Sequence, residues 1–481
     1  MIPDPPNGLR RQVIGGLMWR SGSQIFAQLT TWTSTFIVIR LLSSDDYGIF
    51  AMTASVMVLL NVLSGTGFAS ALVRSRSVEP HYVRQIFGIL VLINGALIVV
   101  QFAAAPFVAA YFHQPVLADL LRTQTLVYLA NPPLALAVAL LNRRMDFRTQ
   151  SIANIASAFA GAATALGGAV AGWGVWSLVY APIAMVWTRA TIVAFAVKLR
   201  TVPTFRFSGA GGTLGFGIAM TITQLFWFAQ SQSDIIIGGP FMTPHELGLY
   251  TTALFLAQIV TSKFIPPLND IAYSAYARLQ NDRALVAAAF AKSVGIITTV
   301  TLPLFGGLAL TAEPLVLTVL GQKWAGVIPI VRILAWAMPF VTLQILFAPV
   351  TNALGRPRLA VYGALAGACV MPVCFAIGIS RGAVGLAEAW LVGFPVLTAF
   401  TAVISMSVIG INVQTLVSAM GRPVVATAVM MIAVATVDPM LPRLSVTSHL
   451  LCLAGFGFAT FASSLLLLWR GSFAQLRAAL F

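Results

Sequence analysis

Six basic residues stand inside stretches that are otherwise apolar enough to cross a bilayer: Arg20, Arg40, Arg122, Arg189, Lys263 and Arg332. A cation at the centre of a membrane helix costs about 2.5–3.5 kcal/mol on insertion scales, so each is a functional candidate by default. Arg40 and Arg122 lie near the outer ends of their stretches, where snorkelling to the head groups suffices. Arg20 stands nine residues inward from Arg11 and Arg189 nine residues before Lys198, which places both ~13 Å from the inner helix ends. Lys263, thirteen residues beyond Tyr250, reaches a similar level, ~10 Å above the inner face of a ~30 Å core. If the three face a common cavity they form a positive collar. Such a collar suits a phosphate-bearing substrate, since charge-assisted bonds strengthen in a low dielectric. The alternative is that each pairs with local backbone or a head group.

Asp234, within Gln230-Ser231-Gln232-Ser233-Asp234, and Glu388 are the buried-looking acids, each in the outer part of its helix. Arg332 lies at comparable depth. A structural ion pair between Arg332 and one of the acids would relieve the burial cost of both. The functional alternative is a protonatable or sodium-binding carboxylate that couples transport to an ion gradient. The residues themselves leave both open.

The elements that must hold these groups are membrane helices. With 59% hydrophobic and only 9% charged residues, the chain departs from soluble proteins, in which about a quarter of residues are charged. Fourteen apolar stretches of spanning length recur, approximately at 12–42, 46–73, 82–112, 116–142, 149–171, 173–199, 208–241, 246–268, 284–311, 325–354, 357–379, 382–411, 419–439 and 446–470. The first runs too long for a signal-peptide core and is expected to remain as a helix. Alternating ten-residue segments of a transmembrane barrel are absent.

The net charge of +15 reports topology. Nineteen of the 28 Lys and Arg fall in alternate loops on one side, against about three, Lys323, Arg381 and Arg443, on the other. The positive-inside rule then makes both termini cytoplasmic. The three cysteines, Cys369, Cys374 and Cys452, lie within apolar stretches and read as packing residues, and the four histidines make no metal-ligand spacing with them or with acids. Neither a P-loop nor a Gly-x-Ser-x-Gly elbow is present. The expectation is a non-enzymatic chain without metal or cofactor.

An internal echo organises the whole. Arg40-Leu41-Leu42-Ser43-Ser44-Asp45-Asp46-Tyr47-Gly48-Ile49-Phe50 and Pro240-Phe241-Met242-Thr243-Pro244-His245-Glu246-Leu247-Gly248-Leu249-Tyr250 both end a span, open a helix with a Ser/Thr-x-x-Asp/Glu cap, and continue with glycine and two large apolar residues. Weaker correspondences join Leu141-Asn142-Arg143-Arg144 to Leu354-Gly355-Arg356-Pro357, and Gly174 to Gly385. Six spans is an even number, so the repeat runs the same way up in both halves. The expected architecture is an all-α polytopic membrane protein of about 14 transmembrane helices. Two six-helix lobes in parallel pseudo-two-fold repeat, residues 1–205 and 206–412, are followed by a C-terminal helix pair, 413–481. The segment from Asn269 to Asp282 reads as a connector on the membrane surface or an amphipathic continuation of the eighth span.

Several strings, in order along nearly the whole chain, resemble the polysaccharide-transport family of Wzx-type flippases within the multidrug and oligosaccharidyl-lipid exporter superfamily. They are Ile39-Arg40-Leu41-Leu42-Ser43 through Phe50, Leu141-Asn142-Arg143-Arg144-Met145-Asp146-Phe147-Arg148, Gly174-Val175-Trp176-Ser177-Leu178-Val179, Asp234-Ile235-Ile236-Ile237-Gly238, Leu247-Gly248-Leu249-Tyr250 and Leu320-Gly321-Gln322-Lys323-Trp324-Ala325. The resemblance implies export of an undecaprenyl-diphosphate-linked oligosaccharide across the bacterial inner membrane for lipopolysaccharide or exopolysaccharide synthesis. It also implies alternating access of two lobes around a central cavity. Arg20, Arg189 and Lys263 would then engage the diphosphate or acidic sugars, with polysaccharide polymerase and export machinery as partners. The related lipid II flippases carry a denser charged cluster in their first span, so their cavity residues are not carried over.

Two other functions compete. A drug:cation antiporter of the same superfamily usually has twelve spans, so the last two count against it. A membrane-embedded polysaccharide polymerase or ligase usually displays a long outer loop with catalytic residues, and the outer loops here are short.

Overall fold

In the computed structural model, residues 7–64, 80–205, 211–441 and 444–469 are described, with backbone alone for 7–18, 20–21, 211–223 and 469. They form sixteen α-helices, and no strand occurs among the described residues. Packing divides the chain into two units, Met1–Phe228 and Ala229–Phe481. The division falls inside a helix. The C-terminal helix pair belongs to the second unit.

The first unit contains α1 (Asn7–Leu41), α2 (Ser44–Leu63), α3 (Pro80–Tyr111), α4 (Val116–Gln124), α5 (Leu126–Arg143), α6 (Phe147–Val170) and α7 (Val175–Ala196). Helix α8 (Gly211–Gly238) crosses into the second, which continues with α9 (Pro244–Leu279), α10 (Arg283–Leu310), α11 (Ala312–Val319), α12 (Val327–Ala353), α13 (Pro357–Gly378), α14 (Gly382–Ile409), α15 (Val413–Val437) and α16 (Val446–Trp469). The order long, long, long, short, long, long, long occurs twice, from α1 to α7 and from α8 to α14.

The caps that open α2 and α9 are the same device. Ser43 Oγ accepts from the Asp46 amide at 3.2 Å while Asp46 Oδ2 accepts from the Ser43 amide at 3.0 Å. Thr243 and Glu246 repeat the arrangement at 3.2 and 3.1 Å. Each box satisfies two amides that a helix start leaves without partners.

Two further turns match, in a register shifted from the sequence alignment. Met145 at φ 54° and Gly355 at φ 71° both end their helices in the left-handed region. The residue after each donates back to a carbonyl five positions earlier, Asp146 to Leu141 and Arg356 to Thr351. Thus Arg144 corresponds to Leu354. Gly174 (φ 55°, ψ −133°) corresponds to Gly382 (φ 62°, ψ −143°), not to Gly385. Only glycine adopts that backbone without strain.

Eleven stretches among the described residues are long and apolar enough to cross a membrane, and one of these, Pro357–Ile409, holds both α13 and α14. Their prolines, such as Pro132 and Pro133 in α5 and Pro266 and Pro267 in α9, remove helix bonds that neighbouring helices can replace in a membrane. Large apolar side chains such as Phe195, Phe107 and Val403 are exposed, as a lipid-facing surface requires. Helix α9 runs unbroken to Leu279, so the segment after Asn269 is its extension and not a separate surface helix. A core of the second unit gathers Phe290, Phe347 and Tyr276 where α9, α10 and α12 meet.

Candidate functional site

The chemistry of the second unit centres on Asp234, four residues before the end of α8 and fully buried. The Tyr250 hydroxyl, from the second turn of α9, donates to Asp234 Oδ2 at 2.8 Å. The Ile235 amide donates to Oδ1 at 2.8 Å. Trp390 of α14 donates its indole N–H to the Tyr250 oxygen at 2.8 Å. A relay of donors, Trp390 to Tyr250 to Asp234, therefore links three helices. Both carboxylate oxygens accept, which suits the ionised form. Stacking of Trp390 on Phe394, centroids 4.8 Å apart, holds the indole in place. An isolated buried carboxylate would be very costly, and the two donors reduce that cost without supplying a counter-charge.

The ion pairs expected of Asp234, Glu388 and Arg332 are not those that form. Arg332 pairs with Glu313 at 3.3 Å, because the short α11, which the sequence did not reveal, presents Glu313 to α12. Glu388 pairs with Arg381 at 2.6 Å across the first two turns of α14. All four side chains are a third or more exposed, and pairs of this kind contribute little. Asp234 is bonded to neither basic residue.

Of the expected collar, Arg189 stands on α7 of the first unit. It is half-buried, and its Nε is a buried donor without a partner among the described residues. Lys263 stands on α9 of the second unit, exposed and in no ion pair among the described residues. Pro266 and Pro267 follow it, so the carbonyls of Ser262 and Lys263 lack their helical donors. The side chain of Arg20 lies outside the described residues. Arg122 is held by the protein, 3.6 Å from Asp119 and 5.0 Å over the Phe102 ring.

The first unit also holds a polar interior that the sequence reading missed. The chain breaks at Thr125 between α4 and α5, inside one spanning stretch. Around it Gln101 and Gln124 are buried with side-chain carbonyls unpaired among the described residues, while Gln101 Nε2 donates to the Leu121 carbonyl. Neutral amides carry no charge signal, but two glutamines in apolar helices were a legible hint. Among the described residues no group of three His, Cys, Asp or Glu is placed to hold a metal.

Comparison with known proteins sets this geometry in a wider frame. The family model described as polysaccharide biosynthesis protein matches residues 37–329. The succinoglycan biosynthesis transport protein ExoT of Rhizobium meliloti (strain 1021) is 26% identical over 357 residues, 74% of this chain and 72% of that protein. The lipopolysaccharide biosynthesis protein WzxC of Escherichia coli (strain K12) is 19% identical over 68% of this chain and 67% of its own. Among solved structures, the lipid II flippase MurJ in an inward closed conformation matches with a TM-score of 0.76 at 13% identity, over 95% of this chain and 99% of that one. An inward-facing multidrug transporter of the MATE family matches at 0.63, over 79% and 95%. At such identities the structural likeness is one of fold.

Proposed function

The chain belongs to the polysaccharide biosynthesis protein family, and on that premise we propose that it moves an undecaprenyl-diphosphate-linked oligosaccharide across the cytoplasmic membrane for surface or extracellular polysaccharide synthesis. The observation that carries this reading is a conjunction. Relatives named for chemically distinct glycans, succinoglycan, lipopolysaccharide and teichuronic acid, each match over two thirds or more of both chains, and the fold is that of a lipid II flippase. What such proteins can share is the lipid carrier and its diphosphate, not a sugar. A small-molecule antiporter has the fold in its favour but no support from the family.

In this reading the chain crosses the membrane fourteen times with both termini cytoplasmic, and its two lobes alternate access to the substrate. Arg20, Arg189 and Lys263 contact the diphosphate or acidic sugars. The absence of an ion-pair partner for Lys263 among the described residues and the unpaired Nε of Arg189 support this, since cations held for a substrate are left free of protein carboxylates. Asp234 is the ion-coupling carboxylate, supported by its burial without a basic partner among the described residues. Polymerase and export machinery receive the product.

The test is deletion of the gene and identification by mass spectrometry of the lipid-linked glycan that accumulates on the cytoplasmic face. Complementation with the Arg20→Ala/Lys263→Ala double variant should restore membrane insertion but not surface polysaccharide. Undiminished polysaccharide from that variant removes the collar from the reading, and absence of any accumulated lipid-linked glycan in the deletion removes the flippase itself.

A further inference from the structure

Within the first unit, α5 and α7 leave a groove of ≈ 460 Å³ between them. Its lining includes the small side chains of Ala130, Ala190 and Ala194, and the rings of Trp187 and Phe195. The Phe195 ring is 81% exposed. Trp187 is fixed, because its indole N–H donates to the Leu126 carbonyl at 3.1 Å. The groove is apolar along the helices and ends at two cations, Lys198 and Arg200, both exposed and both without a protein partner among the described residues.

The placement of these cations is built. Lys198 takes a left-handed backbone, φ 52°, a conformation that strains a non-glycine residue. The turn returns the Leu199 amide to the Ala194 carbonyl and packs the half-buried Leu199 side chain against the core at Val193 and Leu136. Further on, Arg84 Nε donates to the Val202 carbonyl at 3.1 Å and the Thr204 amide donates to the Arg84 carbonyl at 3.0 Å. Gly88 makes that approach possible, since a Cβ there would collide with Thr204 backbone. The stretch of chain after α7 is thus clamped to α3, and Lys198 and Arg200 flank the half-buried Leu199.

We propose that this groove is a binding site for one anionic phospholipid, an acyl chain lying between Trp187 and Phe195 and the phosphate meeting Lys198 and Arg200. The charge complementarity selects the head group: basic pockets between helices at a membrane surface take anionic lipids. The walls select a lipid over a free anion, since their one hydroxyl, that of Thr191, gives its proton to the Trp187 and Thr188 carbonyls and the rest of the helical lining is apolar. The site is independent of the substrate path proposed above and involves none of its residues.

The full chain, purified in mild detergent, is titrated with dioleoyl phosphatidylglycerol, and retained lipid is counted by native mass spectrometry. Dioleoyl phosphatidylethanolamine, inorganic phosphate and undecaprenyl phosphate serve as competitors. Expected is one tightly retained phosphatidylglycerol, with affinity lowered about tenfold or more in Lys198→Ala/Arg200→Ala and lowered likewise in Ala194→Leu, which fills the groove and leaves the charges. The Arg356→Ala/Arg358→Ala pair, elsewhere on the surface, should change nothing. Equal loss in that pair, displacement by inorganic phosphate, preferential retention of undecaprenyl phosphate, or indifference to Ala194→Leu would each overturn the site. Thermal unfolding of every variant separates loss of lipid from loss of fold.

Discussion

Asp234 is fully buried, and the Tyr250 hydroxyl and the Ile235 amide are its donors. Tyr250, and through it Trp390, reach Asp234 from sixteen and 156 positions away in the chain. Removal of the Tyr250 hydroxyl by Tyr250→Phe leaves Asp234 with one donor, and losing a partner of a buried polar group costs about 1–3 kcal/mol. Trp390→Phe removes the bond to Tyr250, at about 0.5–1.5 kcal/mol, and also leaves a void where the buried indole stood. The double-mutant cycle of the two in thermal unfolding checks the relay, and strictly additive losses contradict it. Asp234→Asn keeps an acceptor for the Ile235 amide and a group that can bond the Tyr250 hydroxyl. It should unfold close to the wild-type temperature while export stops, if the carboxylate couples transport to an ion. Full export by this variant would reduce Asp234 to a structural role.

At the scale of elements, the helix starts were the most legible features, because a cap is local chemistry. Ser43 with Asp46 and Thr243 with Glu246 form the boxes their spacing announces. The short helices α4 and α11 were not legible: each lies within or directly beside a spanning stretch, and hydropathy does not register a break at Thr125 that removes no apolar residue. Ser43→Ala and Thr243→Ala should each cost about 1 kcal/mol, and the double variant their sum, since the caps lie in different units. Asp146 caps α6 through the Thr149 amide at 3.0 Å and hydroxyl at 2.6 Å. Partial burial works to raise its pKa, but the Thr149 bonds, aided by Arg144 and Arg148, hold it below the usual carboxylate value. A carboxyl depressed in the fold stabilises above its unfolded-state value and loses that contribution as pH falls through the folded one. The cap of α6 should therefore weaken only in acid, and Asp146→Asn should lower stability near neutrality and flatten the acid limb, so that the two profiles converge as pH falls. A parallel acid limb in wild type and variant would show that the cap does not titrate there.

For the whole molecule, the repeat was visible because both halves open α2 and α9 with the same kind of capping box, whereas packing between helices leaves no local signal. Helices 413–481 looked like an addition to a completed pair of lobes. In the structure α15 lies along α10: the Gly295 position faces the Ala419 carbonyl, where a Cβ would sit 3.3 Å away, and Gly306 lies against Met431 and Thr427, where it would sit 2.9–3.2 Å away. Helix α16 then packs on α15 and on α11, with Met430, Val434, Leu453 and Phe461 forming their shared core. Two glycines that let a helix approach closely are a commitment of α10, since no lipid chain restores so tight a fit. Truncation after Ile411 should accordingly not leave an intact twelve-helix transporter. It strips the Gly295–Gly306 face, and the shortened chain is expected to unfold several degrees lower or to be degraded in the membrane, with export lost. Gly306→Leu gives the same lesion by one residue: the side chain displaces Met431 and separates α15 from α10, at a cost of about 1–3 kcal/mol typical of overpacking. Thermal unfolding in detergent and surface polysaccharide in complemented cells read both. A truncated chain with wild-type unfolding would make the C-terminal pair an appendage after all, and would place the determinants of stability entirely within the repeated helices.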